Sequence, residues 1–180
     1  MHTFDEFSRD LFSFKKHYNV ALIDRFAKML ADVIRATGRH FDIATYPPAS
    51  RQRLYYATAH LAKVVATELD LDLLDCLNWA GGKGKSQKKR AGRMKLKRLG
   101  EVIECTSDMT GLRVLLIDDI LTTGLTAARC VEALKGRGAQ SVFVTVLGWT
   151  VSESACGFKR IKFKSKLFCR DVKNDVARVQ

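Results

Sequence analysis

Val114-Leu115-Leu116-Ile117-Asp118-Asp119-Ile120-Leu121-Thr122-Thr123-Gly124-Leu125-Thr126 is the stretch that decides the fold of this chain. The continuous apolar run over Arg113 to Ile117 predicts a strand buried on both faces, as in parallel sheets. Two adjacent carboxylates, Asp118 and Asp119, follow at its carboxyl end, where ligands of open α/β sheets bind. A short loop with Thr122, Thr123 and Gly124 then enters a helix from Thr126 to Lys135, closed by Gly136-Arg137-Gly138. At a helix start the amides lack intrahelical partners and the dipole is positive, which favours an anion. Gly124 lets the backbone come close, and Thr122, Thr123 and Thr126 offer hydroxyl donors. The carboxylates suit a vicinal diol, or a Mg²⁺ that the diol also touches. The plain alternative is a strand that ends in two acids and a threonine that caps a helix. Adjacent buried carboxylates are costly without a ligand or partner, and the whole run is far more specific than a lone glycine motif.

Outward from this stretch, helices and strands alternate. Phe4, Phe7, Leu11, Phe12 and Phe14 predict an amphipathic helix over 4–16. Leu22, Ile23, Phe26, Leu30, Val33 and Ile34 predict a second over 21–36, ended near Gly38. Phe41 to Tyr46 is a short strand stopped by Pro47-Pro48. A third helix is expected from about Ser50, its N-cap, to Leu69. Leu71 to Trp79 and Glu101 to Cys105 are strand candidates. Between them Gly81-Gly82-Lys83-Gly84 opens a loop dense in lysine and arginine. Val142 to Leu147 is another buried strand. Lys159 to Lys164 alternates basic and apolar residues, the pattern of a strand with one basic face. The fold class is therefore α/β: three layers around a mainly parallel sheet of about five strands with right-handed crossovers. A small hood is expected from the terminal regions. The chain divides into an N-terminal helical region (1–40), a core (41–150) with a basic loop over 81–99, and a basic C-terminal extension (151–180), all one domain.

The 180 residues suffice for one core, with 47% hydrophobic and 28% charged residues. No apolar run is long enough for a membrane helix, and the start lacks a secretory pattern, so a cytoplasmic protein is expected. The five cysteines, an odd number without a C-x-x-C pair, point to free thiols rather than disulfides or a zinc knuckle. His2, His17, His40 and His60 show no metal-ligand spacing. Tyr55, Tyr56, Trp79 and Trp149 are expected to pack, the alternatives being stacking on a base or flanking a ligand cleft. The net charge of +12 favours polyanionic partners without choosing among them. It is concentrated in Lys83, Lys85, Lys88, Lys89, Arg90, Arg93, Lys95, Lys97 and Arg98, and in Lys159, Arg160, Lys162, Lys164, Lys166 and Arg170.

The segment Val114 to Thr126 closely resembles the phosphoribosyl diphosphate (PRPP) motif of the type I phosphoribosyltransferases. The ComF-type, competence-associated branch is most similar. Phe14-Lys15-Lys16, Phe41-Asp42, the Pro47-to-Arg51 turn and Gln87 through Arg93 occur in its order. The resemblance covers about residues 14–150. It implies that Asp118 and Asp119 hold the ribose hydroxyls with Mg²⁺. Thr122, Thr123, Gly124, Leu125 and Thr126 would wrap the 5′-phosphate. Ala49, Ser50 and Arg51, with Lys88 and Lys89 of the loop, would hold pyrophosphate. Arg90 and Arg93 would stabilise the charge that develops as the glycosidic bond breaks. The turn also reads as a plain strand-to-helix connection, because its prolines lack amide donors. The chain departs from the family in the length and charge of its tail, in its lysine-crowded loop and in having no cysteine zinc finger. Members that act on 6-oxopurines carry an acid where Thr122 stands, which disfavours that substrate class. No residue is an evident base for the nucleophile.

Two functions follow as expectations. In one, an enzyme transfers phosphoribosyl from PRPP to a nitrogen nucleophile with release of pyrophosphate. In the other, the fold is reused as a nucleic-acid-binding or regulatory subunit, in DNA uptake or an anti-phage defence complex. A homodimer or a place in a larger complex is compatible with either.

Overall fold

The computed structural model describes residues 6–17, 19, 21–49, 56–80, 102–149 and 168–171. At its centre lies β5 (Arg113–Leu121), flanked by β1 (Ile43–Thr45) and β6 (Ser141–Trp149), both parallel to it. β2 (Asp72–Leu74) pairs parallel with β1, and β7 (Phe168–Asp171) pairs antiparallel with β6, giving the order β2-β1-β5-β6-β7. The expected mainly parallel α/β sheet is what the chain forms. Helix α3 (Ala57–Glu68) connects β1 to β2, and α4 (Leu125–Gly136) connects β5 to β6. A separate antiparallel ribbon joins β3 (Leu77–Trp79) to β4 (Ile103–Cys105).

Side-chain alternation along β5 divides the core in two. Leu115 and Ile117 point to the face covered by α1 (Glu6–His17), α2 (Ala21–Ala36) and α3. Val114 and Leu116 point to the face covered by α4 and the β3–β4 ribbon. All four are fully buried, which is why the strand reads as an unbroken apolar run. Burying each such side chain is worth about 1.5–3 kcal/mol. Phe14 stands edge-on to Phe26 at 5.7 Å and ties α1 to α2. At the opposite end of the sheet from the acids, Arg113 holds Asp42 through both carboxylate oxygens, with contacts of 3.0 and 2.7 Å. The Arg113 amide also donates to Asp42, at 2.7 Å.

The structure differs from the sequence-based expectation at four places. The strand expected over Leu71 to Trp79 is two strands in different sheets. Thr45 Oγ1 donates to the Leu74 carbonyl where β2 ends, and the Thr106 amide donates to the Cys76 carbonyl where the ribbon begins. Both halves are apolar, so composition hides the change of partner. β5 continues four residues beyond Ile117, because β6 extends alongside it as far as Leu121↔Trp149. The N-cap of α3 is Tyr56, in an extended conformation, rather than Ser50. β7, inside the expected C-terminal extension, is an unforeseen edge strand of the main sheet. The strand expected over Lys159 to Lys164 lies outside the described residues.

Candidate functional site

The carboxyl ends of β1 and β5 and the start of α4 bring together the residues that carry polar chemistry. Asp118 and Asp119 lie within β5 near its end, not beyond it; Asp119 is buried and Asp118 half-buried. Each folds back on the next amide. The Asp119 N–H donates to Asp118 Oδ1 at 2.8 Å, and the Ile120 N–H donates to Asp119 Oδ1 at 2.6 Å. The side-chain alternation breaks here: Ile120 packs with Leu115 and Ile117, and Leu121 packs on the opposite face.

Thr122 and Thr123 follow, both exposed, and Gly124 is the N-cap of α4 with φ +71° and ψ −5°. This left-handed conformation suits glycine. Gly124 has no side chain with which to cap the helix, and the Leu125 amide makes a long contact of 3.4 Å to Thr123 Oγ1. The first turn of α4 therefore presents its positive end beside the two acids, with Leu125 exposed and Thr126 half-buried. The expected phosphate-loop residues Thr122 to Thr126 thus form one continuous turn next to Asp118 and Asp119. The helix begins at Leu125, one residue earlier than expected.

Tyr56 and Cys130 border the acids. Burial first, and then the charge of Asp118, push the Tyr56 hydroxyl above its ordinary range. The same two causes raise the Cys130 thiol. Cys76 is pushed up to about 11, chiefly by burial. Cys76 and Cys130 are therefore thiols at neutral pH and not nucleophiles. Cys76, Cys105 and Cys130 are free, as expected.

Of the residues expected to hold pyrophosphate in the turn after β1, Ala49 is described; it follows Pro47-Pro48 and is half-buried. Its carbonyl accepts from the Trp79 indole N–H at 2.9 Å, and the Pro47 carbonyl accepts from the Tyr56 hydroxyl at 3.0 Å. Sequence reasoning left Tyr56 and Trp79 among the packing aromatics. Their contacts span 9 and 30 residues, and no local pattern announces them. Ser50, Arg51, Lys88, Lys89, Arg90 and Arg93 lie outside the described residues.

No group of three or more His, Cys, Asp or Glu that could hold a metal occurs among the described residues. The Asp118–Asp119 pair still fits Mg²⁺, which takes oxygen ligands and is commonly held by one or two carboxylates together with substrate phosphates and water. Among the described residues no helix is long and apolar enough to cross a membrane.

Residues 58–180 match the phosphoribosyl transferase domain. In fold the chain is similar to the glutamine phosphoribosylpyrophosphate (PRPP) amidotransferase from B. subtilis, at 20% identity and TM-score 0.51, over 73% of this chain and 27% of that one. It is also similar to the adenine phosphoribosyltransferase from Thermoanaerobacter pseudethanolicus, at 19% identity and TM-score 0.51, over 73% of this chain and 70% of that one. The chain spans about a quarter of the amidotransferase's length. No curated protein matches it.

Proposed function

Because the chain belongs to the phosphoribosyl transferase domain family, we propose that it binds PRPP with Mg²⁺ and transfers the phosphoribosyl group to a nitrogen nucleophile. The observation that carries this reading is the glycine-led start of α4 at Gly124, one short turn after the Asp118–Asp119 pair. The amides of the first turn and the hydroxyls of Thr122, Thr123 and Thr126 receive the 5′-phosphate. Asp118 and Asp119 accept from the ribose 2′- and 3′-hydroxyls, which fixes the sugar, and their carboxylates are the groups that would hold the metal. Mg²⁺, when bound, neutralises charge on the diphosphate.

In the reaction the C1–oxygen bond to pyrophosphate breaks, a C1–nitrogen bond forms, and the nucleophile loses a proton. The Ala49 amide, with Ser50, Arg51, Lys88 and Lys89, holds the pyrophosphate. Arg90 and Arg93 stabilise its charge as it leaves, so positioning and electrostatics supply most of the rate. The test is a calorimetric titration with PRPP and Mg²⁺, followed by a pyrophosphate-release assay across candidate bases. Mg²⁺-dependent binding with release in the presence of one base is expected. Absence of PRPP binding refutes the reading.

A second reading is supported by where the charge lies. Acids slightly outnumber Lys and Arg among the described residues, so the excess of cations belongs to the rest of the chain, chiefly Lys83 to Arg98 and Lys159 to Lys166. In that reading the protein is a cytoplasmic ComF-like subunit, a homodimer or part of a complex, and binds nucleic acid in DNA uptake or anti-phage defence. Ligand binding at the acids would then regulate rather than react.

A further inference from the structure

Two prolines take backbone donors out of the start of the turn after β1. Pro47 and Pro48 have no amide hydrogen, so within Pro47–Ala49 the Ala49 amide is the one backbone donor. The proline rings fix two φ angles, but the direction of the turn depends on contacts from elsewhere. Two are present. The Tyr56 hydroxyl, at the N-cap of α3, donates to the carbonyl of buried Pro47 at 3.0 Å. The Trp79 indole N–H, at the end of β3, donates to the carbonyl of Ala49 at 2.9 Å.

These donors come from separate elements, α3 and β3, and each is half-buried. Tyr46 packs edge-on to Tyr56 at 6.2 Å and limits the movement of its ring. Tyr56 also feels the charge of Asp118. Raised well above its ordinary range, its hydroxyl stays protonated and remains a donor at neutral pH.

We propose that Tyr56 and Trp79 are positioning residues that latch the Pro47–Ala49 segment of the turn, so that the Ala49 amide meets the diphosphate of the ligand already oriented. The inference rests on the assignment of this turn to pyrophosphate. Its physical basis is preorganisation: a turn fixed before binding does not lose freedom on binding. A latch on the diphosphate subsite should leave the 5′-phosphate subsite unaffected, because that subsite is built from Thr122 to Thr126.

The test compares wild type, Tyr56→Phe and Trp79→Phe in calorimetric titrations with PRPP and Mg²⁺ and, in parallel, with ribose 5-phosphate. Each substitution keeps the ring and removes one donor; if either variant fails to fold, the other decides. The expected result is an affinity for PRPP about five- to tenfold lower, corresponding to one lost hydrogen bond, with ribose 5-phosphate affinity changed less than about twofold. Equal loss for both ligands overturns the latch and leaves a structural role. Unchanged PRPP affinity in both variants also overturns it, while the turn's assignment stands if wild type prefers PRPP to ribose 5-phosphate. A wild type without that preference overturns the assignment of the turn, and the latch with it.

Discussion

Gly124 gives the sharpest test of the phosphate turn. At φ +71° it occupies left-handed space, and a Cβ built there meets nothing within 4 Å. The effect of a substitution therefore comes from conformation, not collision. For alanine the left-handed conformation costs about 1–2 kcal/mol, partly offset by about 0.4–1 kcal/mol from a stiffer unfolded chain. The net loss is about 1 kcal/mol, or about 2–4 °C in melting midpoint for a domain of this size. Asparagine tolerates the conformation better, and valine, β-branched, tolerates it worst. Leaving the left-handed conformation would also displace the first-turn amides that follow Gly124. Affinity for ribose 5-phosphate should therefore fall about tenfold in Gly124→Ala, the equivalent of one hydrogen bond to a charged group. Ribose without the phosphate should bind poorly to all forms. Denaturant melts and calorimetry on the three variants read both effects. A Gly124→Ala protein as stable as wild type, with unchanged affinity for the phosphorylated sugar, refutes the reasoning.

Three further outcomes are expected. Asp118→Asn combined with Asp119→Asn keeps the Oδ1 acceptors that hold the next amides, so the fold should survive while Mg²⁺-dependent PRPP binding disappears; calorimetry showing wild-type affinity would sink the assignment. Arg113 lowers the Asp42 carboxyl from 3.8 to about 2, so its stabilising contribution is present above about pH 4 and lost as pH falls through 2. The difference in melting midpoint between wild type and Asp42→Asn should then shrink over that window and in high salt, and a constant difference would contradict it. Polyanion binding, if carried by the basic runs, should weaken steeply with salt. Replacing Lys159, Arg160, Lys162, Lys164 and Lys166 by Gln should flatten that dependence; truncation after Gly157 would also remove β7 from the sheet. Mobility shifts across a salt series read this, and no shift at about 50 mM salt removes the nucleic-acid reading.

The sequence was legible where one local pattern decides the outcome. The apolar run at Val114 to Ile117, the helical periodicity of α2 and the order of acids, threonines and glycine from the end of β5 into α4 each specify structure within a short window. Legibility failed where partners are distant. The division of Leu71 to Trp79 between two sheets depends on Thr45 and Thr106. The extra length of β5 depends on β6, which overrides the poor strand preference of two aspartates. The contacts of Tyr56 and Trp79 with the turn have no signature at all, because a tyrosine hydroxyl finds a carbonyl by folding rather than by spacing. Tyr56 in place of Ser50 as the α3 cap has the same origin: Ser50 has the better capping chemistry, but the chain enters the helix later.

The acid pair also explains why the end of β5 is poorer as a sheet than it needs to be. Two valines at 118 and 119 would satisfy the strand preference and fill space against either face. The chain instead has two carboxylates that interrupt the side-chain alternation between Ile117 and Ile120, with each acid drawn back onto the following amide. That arrangement costs packing but holds both acids in place next to the positive end of α4. An acid pair alone would attract cations, and a helix start alone would attract any anion. Side by side they suit a ligand with a phosphate at one end and hydroxyls, or a hydroxyl-bound cation, next to it. The strand that packs best and the strand that would bind such a ligand are thus different sequences, and two aspartates at 118 and 119 belong to the second.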